Sequence, residues 1–234
     1  MDLKEEDILG GDIGRHWYYR SKAAALRRMV EPLASQRVLD VGAGSGFFSR
    51  HLLAHTHARS ALCVDIGYAA DRDDEEAGKP VLYRRDIGPT GCDLVLMMDV
   101  LEHVDDDSGL LRHYAGLVAS DAHFLITVPA FSFLWSGHDV FLEHKRRYKL
   151  PEIEAVARDA GLDVVRSAYY FGFIFPLAAA VRLASRGAPV PRSSLKRHGA
   201  VTNGLLTAVC AAELPLFPVN RLAGLTAFVL AQKR

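Results

Sequence analysis

Val38-Leu-Asp-Val-Gly-Ala-Gly-Ser-Gly-Phe-Phe-Ser49 constrains the fold of this chain more than any other stretch. A β-branched and aliphatic run ends at Asp40 and Val41, glycines stand at 42, 44 and 46, and an amphipathic segment begins at Phe47. That order reads as a strand, a tight turn and a helix. Glycine lets a backbone enter positive φ and lets a ligand lie against the main chain. Gly42, Gly44 and Gly46 therefore suit a nucleotide-like ligand across the carboxyl end of a parallel strand, above a helix N-terminus. The spacing is GxGxG and not the GxGxxG of dinucleotide sites, and Asp40 precedes the first glycine by two residues. A carboxylate there repels a pyrophosphate but can hold an ammonium, directly or through water.

Three more apolar runs follow, each carrying acids near its end. Ala61-Leu-Cys-Val-Asp65 places an acid 19 residues past Gly46; Val81-Leu-Tyr-Arg-Arg-Asp86 and Asp93-Leu-Val-Leu-Met-Met-Asp-Val-Leu-Glu-His-Val104 come next. From about Trp17 to Tyr148 this ordered series resembles the class I S-adenosylmethionine-dependent methyltransferases, in particular those related to the ubiquinone-pathway O-methyltransferases. The resemblance implies S-adenosyl-L-methionine as cofactor. Gly42, Gly44, Gly46 and Asp40 would form the loop beneath it, Asp65 would meet the ribose hydroxyls, and Asp86 would accept from the adenine amino group. Met98 and Arg20 complete the cofactor candidates, the arginine for the methionine carboxylate. Asp65 and Asp86 also read as strand-end caps, because Asp is common in turns for local backbone reasons. Arg20 also reads as a solvated helix residue beside Arg27 and Arg28.

The ubiquinone-pathway enzymes carry a Glu-x-x-Glu-His run proposed to bind a divalent ion, matched here by Asp99, Glu102 and His103. Mixed carboxylate and imidazole on one short segment do not specify a metal. Glu102 and His103 can equally open the next helix, and no metal is expected.

Strands and helices alternate to Leu125-Ile-Thr-Val128, as a doubly wound parallel sheet requires. The expected fold is α/β: a Rossmann-like doubly wound seven-stranded sheet, mostly parallel with an antiparallel last strand, plus a helical insertion. Residues 1–234 read as one domain with a lead-in helix over 12–30. Asp71 to Gly78 reads as the polar surface end of an α-helical crossover. Leu162–Tyr170 and Gly224–Ala231 read as the last two strands, and about fifty residues separate them. A connection that long normally carries its own helices or a function, so residues from about 172 to 222 read as a two-helix cap around a basic linker near 188–198.

Pro129-Ala-Phe-Ser-Phe-Leu-Trp-Ser-Gly-His-Asp139 follows the fifth strand, and loops at that edge face the ligand crevice. Methyl transfer needs an oriented acceptor, exclusion of water and, for a hydroxyl, thiol or protonated amine, removal of a proton. His138 and His144 are the candidate bases, with Asp139 as orienting group or second base; alternatively His138 caps the aromatic loop and His144 pairs with a neighbouring carbonyl. Arg146, Arg147 and Tyr148 read as forked donors to an acidic substrate or as solvated surface.

Lys plus Arg equal Asp plus Glu at 28 each. Without a global basic field a nucleic-acid partner is not expected. The partner is a small-molecule acceptor, with a lipid-linked acceptor or a non-catalytic cofactor-binding regulator as alternatives. Three scattered cysteines suit a reducing cytoplasm. No run reaches the roughly 18 apolar residues of a spanning helix. The apolar stretch from Phe171 to Val181 must nonetheless bury its surface as a lid, a dimer seam or a shallow membrane contact, the lid ranking first, in a monomer or homodimer.

Overall fold

The computed structural model describes residues 10–184 and 198–234. A lead-in helix α1 (Trp17–Val30) precedes β1 (Arg37–Val41), α2 (Phe47–His55) and β2 (Ser60–Val64). Then come β3 (Arg72–Glu76), β4 (Lys79–Arg84), β5 (Leu94–Met98), α3 (Asp107–Leu117) and β6 (His123–Pro129). A short α4 (Gly137–Phe141) and α5 (Leu150–Asp159) lead to β7 (Leu162–Tyr170), α6 (Phe175–Ala184), α7 (Ala200–Glu213) and β8 (Thr226–Lys233).

The eight strands lie in the order β3-β4-β2-β1-β5-β6-β8-β7. Parallel pairing joins β4, β2, β1, β5 and β6, whereas β8 runs antiparallel between β6 and β7. Strand periodicity sends alternate side chains to opposite faces. In β5, Leu94, Leu96 and Met98 pack with Tyr19, Leu26, Phe48 and Leu52 under α1 and α2, while Val95 and Met97 pack with Leu111 and Ile153 under α3 and α5. Every residue of β5 is buried, so both layers of helices close on the strand that delivers the site.

Two readings of the sequence change. The sheet has eight described strands instead of seven, because Asp71 to Gly78 forms no helical crossover. Residues 72–76 instead pair antiparallel with β4 through a two-residue turn at Ala77 and Gly78, φ 52° and 70°. Positive φ at both central positions is the geometry that matches hairpin twist. Arg50 holds the acidic strand, with Nε 2.9 Å from Glu76 and an η nitrogen 2.7 Å from Asp74. The lead-in helix begins at Trp17, later than 12, after a 3-10 turn over Gly10–Arg15. Asn203 of α7 fixes that start: its Oδ1 accepts from Trp17 N at 2.8 Å and its Nδ2 donates to the Arg15 carbonyl at 2.8 Å.

Between β7 and β8 the described chain is mainly the two helices α6 and α7. The basic linker read near 188–198 lies outside the described residues except for His198. Cys63, Cys92 and Cys210 are free and buried. No described helix is long and apolar enough to cross a membrane.

Candidate active site

The loop after β1 does what its glycines predict. Gly42, Gly44 and Gly46 take φ of 64°, 53° and 74°. A Cβ on Gly42 would lie 2.9 Å from a Val100 methyl, and one on Gly46 would lie 2.8 Å from the Tyr83 hydroxyl. Positive φ and this crowding both exclude other residue types. Asp65, just beyond β2, locks the loop: one carboxylate oxygen accepts from Gly44 N at 3.0 Å and the other from Gly67 N at 2.8 Å. Gly42, Asp65 and Ile66 line an open cavity of about 530 Å³. Each Asp65 oxygen keeps further lone-pair capacity, and Ile66 presents an 87% exposed aliphatic surface beside it. A carboxylate for ribose hydroxyls, an apolar platform for a ring and a close backbone approach fit S-adenosylmethionine.

The other cofactor candidates are placed differently. Asp40 lies buried beneath the loop, because its side chain turns toward α2 and accepts from Ser49 Oγ at 2.6 Å. Burial pushes its carboxyl up to about 6, so it braces the loop and does not present an open carboxylate for an ammonium. Met98 packs in the core under α1 and α2, since strand alternation gives the cavity to the next residue, Asp99. Asp86 is exposed and accepts from Ile87 N at 2.8 Å. Asp86 does not line the cavity, although burial and then the charges of Asp86 and Asp65 raise the hydroxyl of Tyr114, which does. Arg20 is exposed on α1, two residues from the fully buried Lys22. On a helix that spacing points the two side chains to opposite faces.

Lys22 was not singled out by the sequence reading. Its ammonium pairs with Asp99 and lies 3.3 Å from the Tyr18 hydroxyl. Burial alone would lower it, but Asp99 and Tyr18 outweigh burial and hold it above an ordinary lysine. Asp99 sits at φ 57°, and Thr127 Oγ1 donates to it at 3.0 Å. A non-glycine residue held there carries strain that the surrounding contacts must offset. Only the Tyr18 and Lys22 spacing of i,i+4 could have signalled this pair, and many helices share that spacing.

A second cavity, of about 350 Å³, shares Asp99, His103 and Leu142 with the first. Its apolar wall includes Trp17, Tyr18, Ile174 and Leu177, and its polar end Glu102, His138 and His144. The loop after β6 builds that end. Ser136 and Asp139 form a capping box on α4, and the buried Asp139 carboxylate also takes His144 Nδ1 at 3.0 Å and Arg147 Nε at 2.6 Å. Burial opposes the charge of Asp139, yet His144 and Arg147 hold it well below the usual carboxylate range. An ionised carboxylate only accepts hydrogen bonds, so His144 Nδ1 donates and a neutral ring keeps its lone pair on Nε2. Asp139 is thus an orienting group and cannot serve as the second base. His138 is driven down to about 4 by burial and by Arg182. Arg147 is buried and also donates to the Ala130 carbonyl at 2.9 Å, so it holds the loop together and is no part of a solvated face. Arg146 reaches Asp107 at 3.2 Å, and Tyr148 donates to Asp107 at 2.9 Å.

Glu102 is fully buried with neither carboxylate oxygen hydrogen-bonded, and burial, then the charge of Asp99, raises it well above an ordinary glutamate. Ligand atoms of Glu102, His103 and His144 all lie within 4.8 Å of one another, a spacing that fits a small cation. Asp99, the first acid of the sequence run, is not in that cluster and pairs with Lys22 instead.

The methyltransferase domain family matches residues 15–167. The chain belongs to this family, within the class I S-adenosylmethionine-dependent methyltransferases. It is 32% identical over 156 residues to a "Ubiquinone biosynthesis O-methyltransferase" of Ralstonia nicotianae, a match covering 56% of this chain and 65% of that protein, just under two thirds of the relative's length. Among solved structures, a SAM dependent methyltransferase from Archaeoglobus fulgidus superposes with TM-score 0.53 at 17% identity, covering 99% of this chain and 98% of the other. The putative methyltransferase complexed with the Trm112 activator from Haloferax volcanii gives 0.57 at 19%, covering 98% and 92%. At such identities the structures speak for the fold alone.

Proposed function

We propose that this methyltransferase moves the methyl group of S-adenosylmethionine to a small-molecule acceptor bound in the 350 Å³ cavity. The observation that carries this reading is the junction of the two cavities at Asp99, His103 and Leu142. A donor in one cavity and an acceptor in the other then meet across three side chains. The cofactor, when bound, supplies the electrophilic methyl group. Gly42, Gly44, Gly46 and Asp65 hold it, Asp86 flanks its ring end, and Lys22 with Asp99 keeps α1 closed over the junction.

The acceptor is read as a hydroxyl on a molecule with an apolar body. Two observations support an oxygen centre: His144, aimed through Nδ1 by Asp139, offers Nε2 as a proton acceptor at the polar end, and the related proteins are O-methyltransferases. The aliphatic and aromatic wall from α1 and α6 suits the apolar body. His138, half-buried and poorly able to hold a proton, is read as wall and hydrogen-bonding partner. The lead-in helix and the insertion belong to the same domain in this reading, since α1 and α6 both supply wall residues. Three buried free cysteines favour the cytoplasm.

Incubating the purified chain and a cell extract with isotopically labelled cofactor, then fragmenting labelled products by mass spectrometry, tests the reading. A labelled methyl on a hydroxyl oxygen, dependent on His144, is the expected result. Label on nitrogen, sulfur or carbon would remove the hydroxyl, and the absence of any labelled product across extracts would remove the activity.

A further inference from the structure

The stripe of α6 that faces the acceptor cavity is apolar for two turns and then charged. Ile174, whose carbonyl accepts from Ala178 N at 3.0 Å as the helix opens, lines the cavity together with Ala178 and Arg182. Residues at i,i+4 spacing share one helix face, and eight residues of helix span about 12 Å along the axis. Trp17 and Tyr18 of α1 supply the aromatic side of the same lane. Such a lane holds an apolar body. The group at its end selects what that body carries.

A guanidinium at that end carries a desolvation cost. Burial and then the like charge of Arg147 push Arg182 down to about 10, and the attraction of Asp139 and Tyr18 does not offset them. Asp139 acts on it through charge alone, because the four lone-pair sites of an ionised carboxylate are here taken by Ser136 N and Oγ, His144 Nδ1 and Arg147 Nε. Arg182 donates to the Leu134 carbonyl at 3.2 Å, which holds α6 against the loop after β6. That carbonyl is neutral, so the bond orients the donor fork without balancing its charge. An anion entering the cavity would balance it through charge-assisted bonds to the planar fork.

His138 links this end of the cavity to the proton acceptor. It is lowered by burial and then by Arg182, and its ring centroid lies 6.4 Å from that of His144. The order Arg182, His138, His144 puts an anionic group and a reacting hydroxyl at the same end of the acceptor. A carboxylate fits this end better than a phosphate does. A phosphate dianion asks for a second cation, and Arg147 is already held by Asp139 and the Ala130 carbonyl.

We propose that Arg182 binds a carboxylate of the acceptor, which makes the substrate class a hydroxy acid with an apolar body. The hydroxyl in this assignment rests on the methyl-transfer reading, whereas the carboxylate is tested without turnover.

Calorimetry at neutral pH on the full chain saturated with S-adenosylhomocysteine decides it, with octanoate, octanamide and octyl phosphate as probes. Octanoate and octanamide have the same shape, so the difference between them reports the charge. Wild type is expected to bind octanoate about ten-fold more tightly than octanamide, because hydrogen bonds to charged groups are the stronger ones. Arg182→Gln can still donate to Leu134 and is expected to bind both probes equally, with unchanged affinity for S-adenosylhomocysteine. Arg182→Lys keeps the charge without the fork and is expected to retain part of the preference. Equal binding of the two probes by wild type, or no binding of octanoate, overturns the proposal even where Arg182→Gln does not fold. A preference that survives in a folded Arg182→Gln overturns it as well, and tighter binding of octyl phosphate than of octanoate overturns the carboxylate assignment. In the labelled extracts, a methyl group found on the hydroxyl of an uncharged product removes the carboxylate and leaves methyl transfer standing.

Discussion

The two cavities are built by opposite means. The cofactor cavity is made by strand ends, where backbone geometry dominates: three positive-φ glycines and a carboxylate that takes two amide protons. The acceptor cavity is made by side chains from α1, the loop after β6, α6 and α7, brought together over separations of a hundred residues and more. A backbone site tolerates most side-chain changes around it, whereas a side-chain site concentrates its chemistry in a few groups. Truncations in the two halves should therefore affect different quantities.

The largest effect is expected at His144. Replacing it with Gln keeps the size of the group but removes the lone pair that Asp139 aims through Nδ1. General-base assistance is typically worth about 10² to 10⁴ in rate, so turnover should fall in that range with cofactor affinity within about two-fold of wild type. The mechanistic reading needs kcat for the variant across pH. Undiminished kcat would leave orientation alone as the source of catalysis, while a lost requirement for His144 only after chelator treatment would point to a cation at Glu102, His103 and His144.

Next comes the link between the halves. Lys22→Met leaves Asp99 charged at the cavity junction with no ammonium beside it. Breaking a buried pair costs about 3 to 5 kcal/mol, and the low end applies because Asp99 keeps 29% of its side-chain exposure. The double variant Lys22→Met, Asp99→Leu should recover most of the loss, since apolar replacement of both partners is often neutral. Denaturant midpoints of the two variants measure this, and equal destabilisation of single and double variants would show that the pair is not coupled.

Asp65→Ala tests the cofactor half. A hydrogen bond to a charged group contributes about 1.5 to 3 kcal/mol, so affinity for S-adenosylhomocysteine should drop by roughly ten-fold or more while kcat at saturation changes little. Because the same carboxylate holds Gly44 and Gly67, Asp65→Asn is the informative partner. The amide can still accept one of those two bonds, and intermediate affinity is expected from it. Wild-type affinity in a folded Asp65→Ala would take Asp65 out of the site.

This division also explains which parts could be read from the sequence. The sheet, the glycine loop and Asp65 follow local rules of alternation, turn chemistry and strand-end position, so a single stretch such as residues 38–49 carries them. The Asp71–Gly78 hairpin was misread because an acidic run carries no strand pattern of its own; Arg50 and Arg84 on neighbouring elements stabilise it. Met98 was one position off because the burial of every residue in β5 removes the alternation that would have told its faces apart. Lys22, Glu102 and Arg147 acquire their roles from partners or surroundings far away in the chain. A lysine in an amphipathic helix looks solvated until a carboxylate from a distant strand is placed beside it.

The smallest expected effect separates the two histidines of the acceptor loop through pH. His138 is lowered to about 4 in the folded protein by burial and by Arg182, against roughly 6.5 in an unfolded chain. Above pH 6.5 both states are neutral at this group and its contribution is fully present. Between 6.5 and 4 the unfolded chain takes up a proton that the folded one refuses, so stability falls as pH falls. The slope is at most about 1.4 kcal/mol per pH unit, which gives roughly 1 kcal/mol between pH 7 and 5.5. His51, also lowered to about 4 by burial and then by His55, acts in the same direction. Asp40, raised to about 6 by burial, acts in the opposite one, its contribution lost as pH rises through 6. The difference between wild type and His138→Gln cancels both. Its denaturant midpoint should converge on that of wild type, or exceed it, as pH falls from 7 to 5.5. Two parallel curves would mean that the His138 ring is protonated or solvated in the folded state, and the polar end of the acceptor cavity would then be wetter than its half-buried histidines imply.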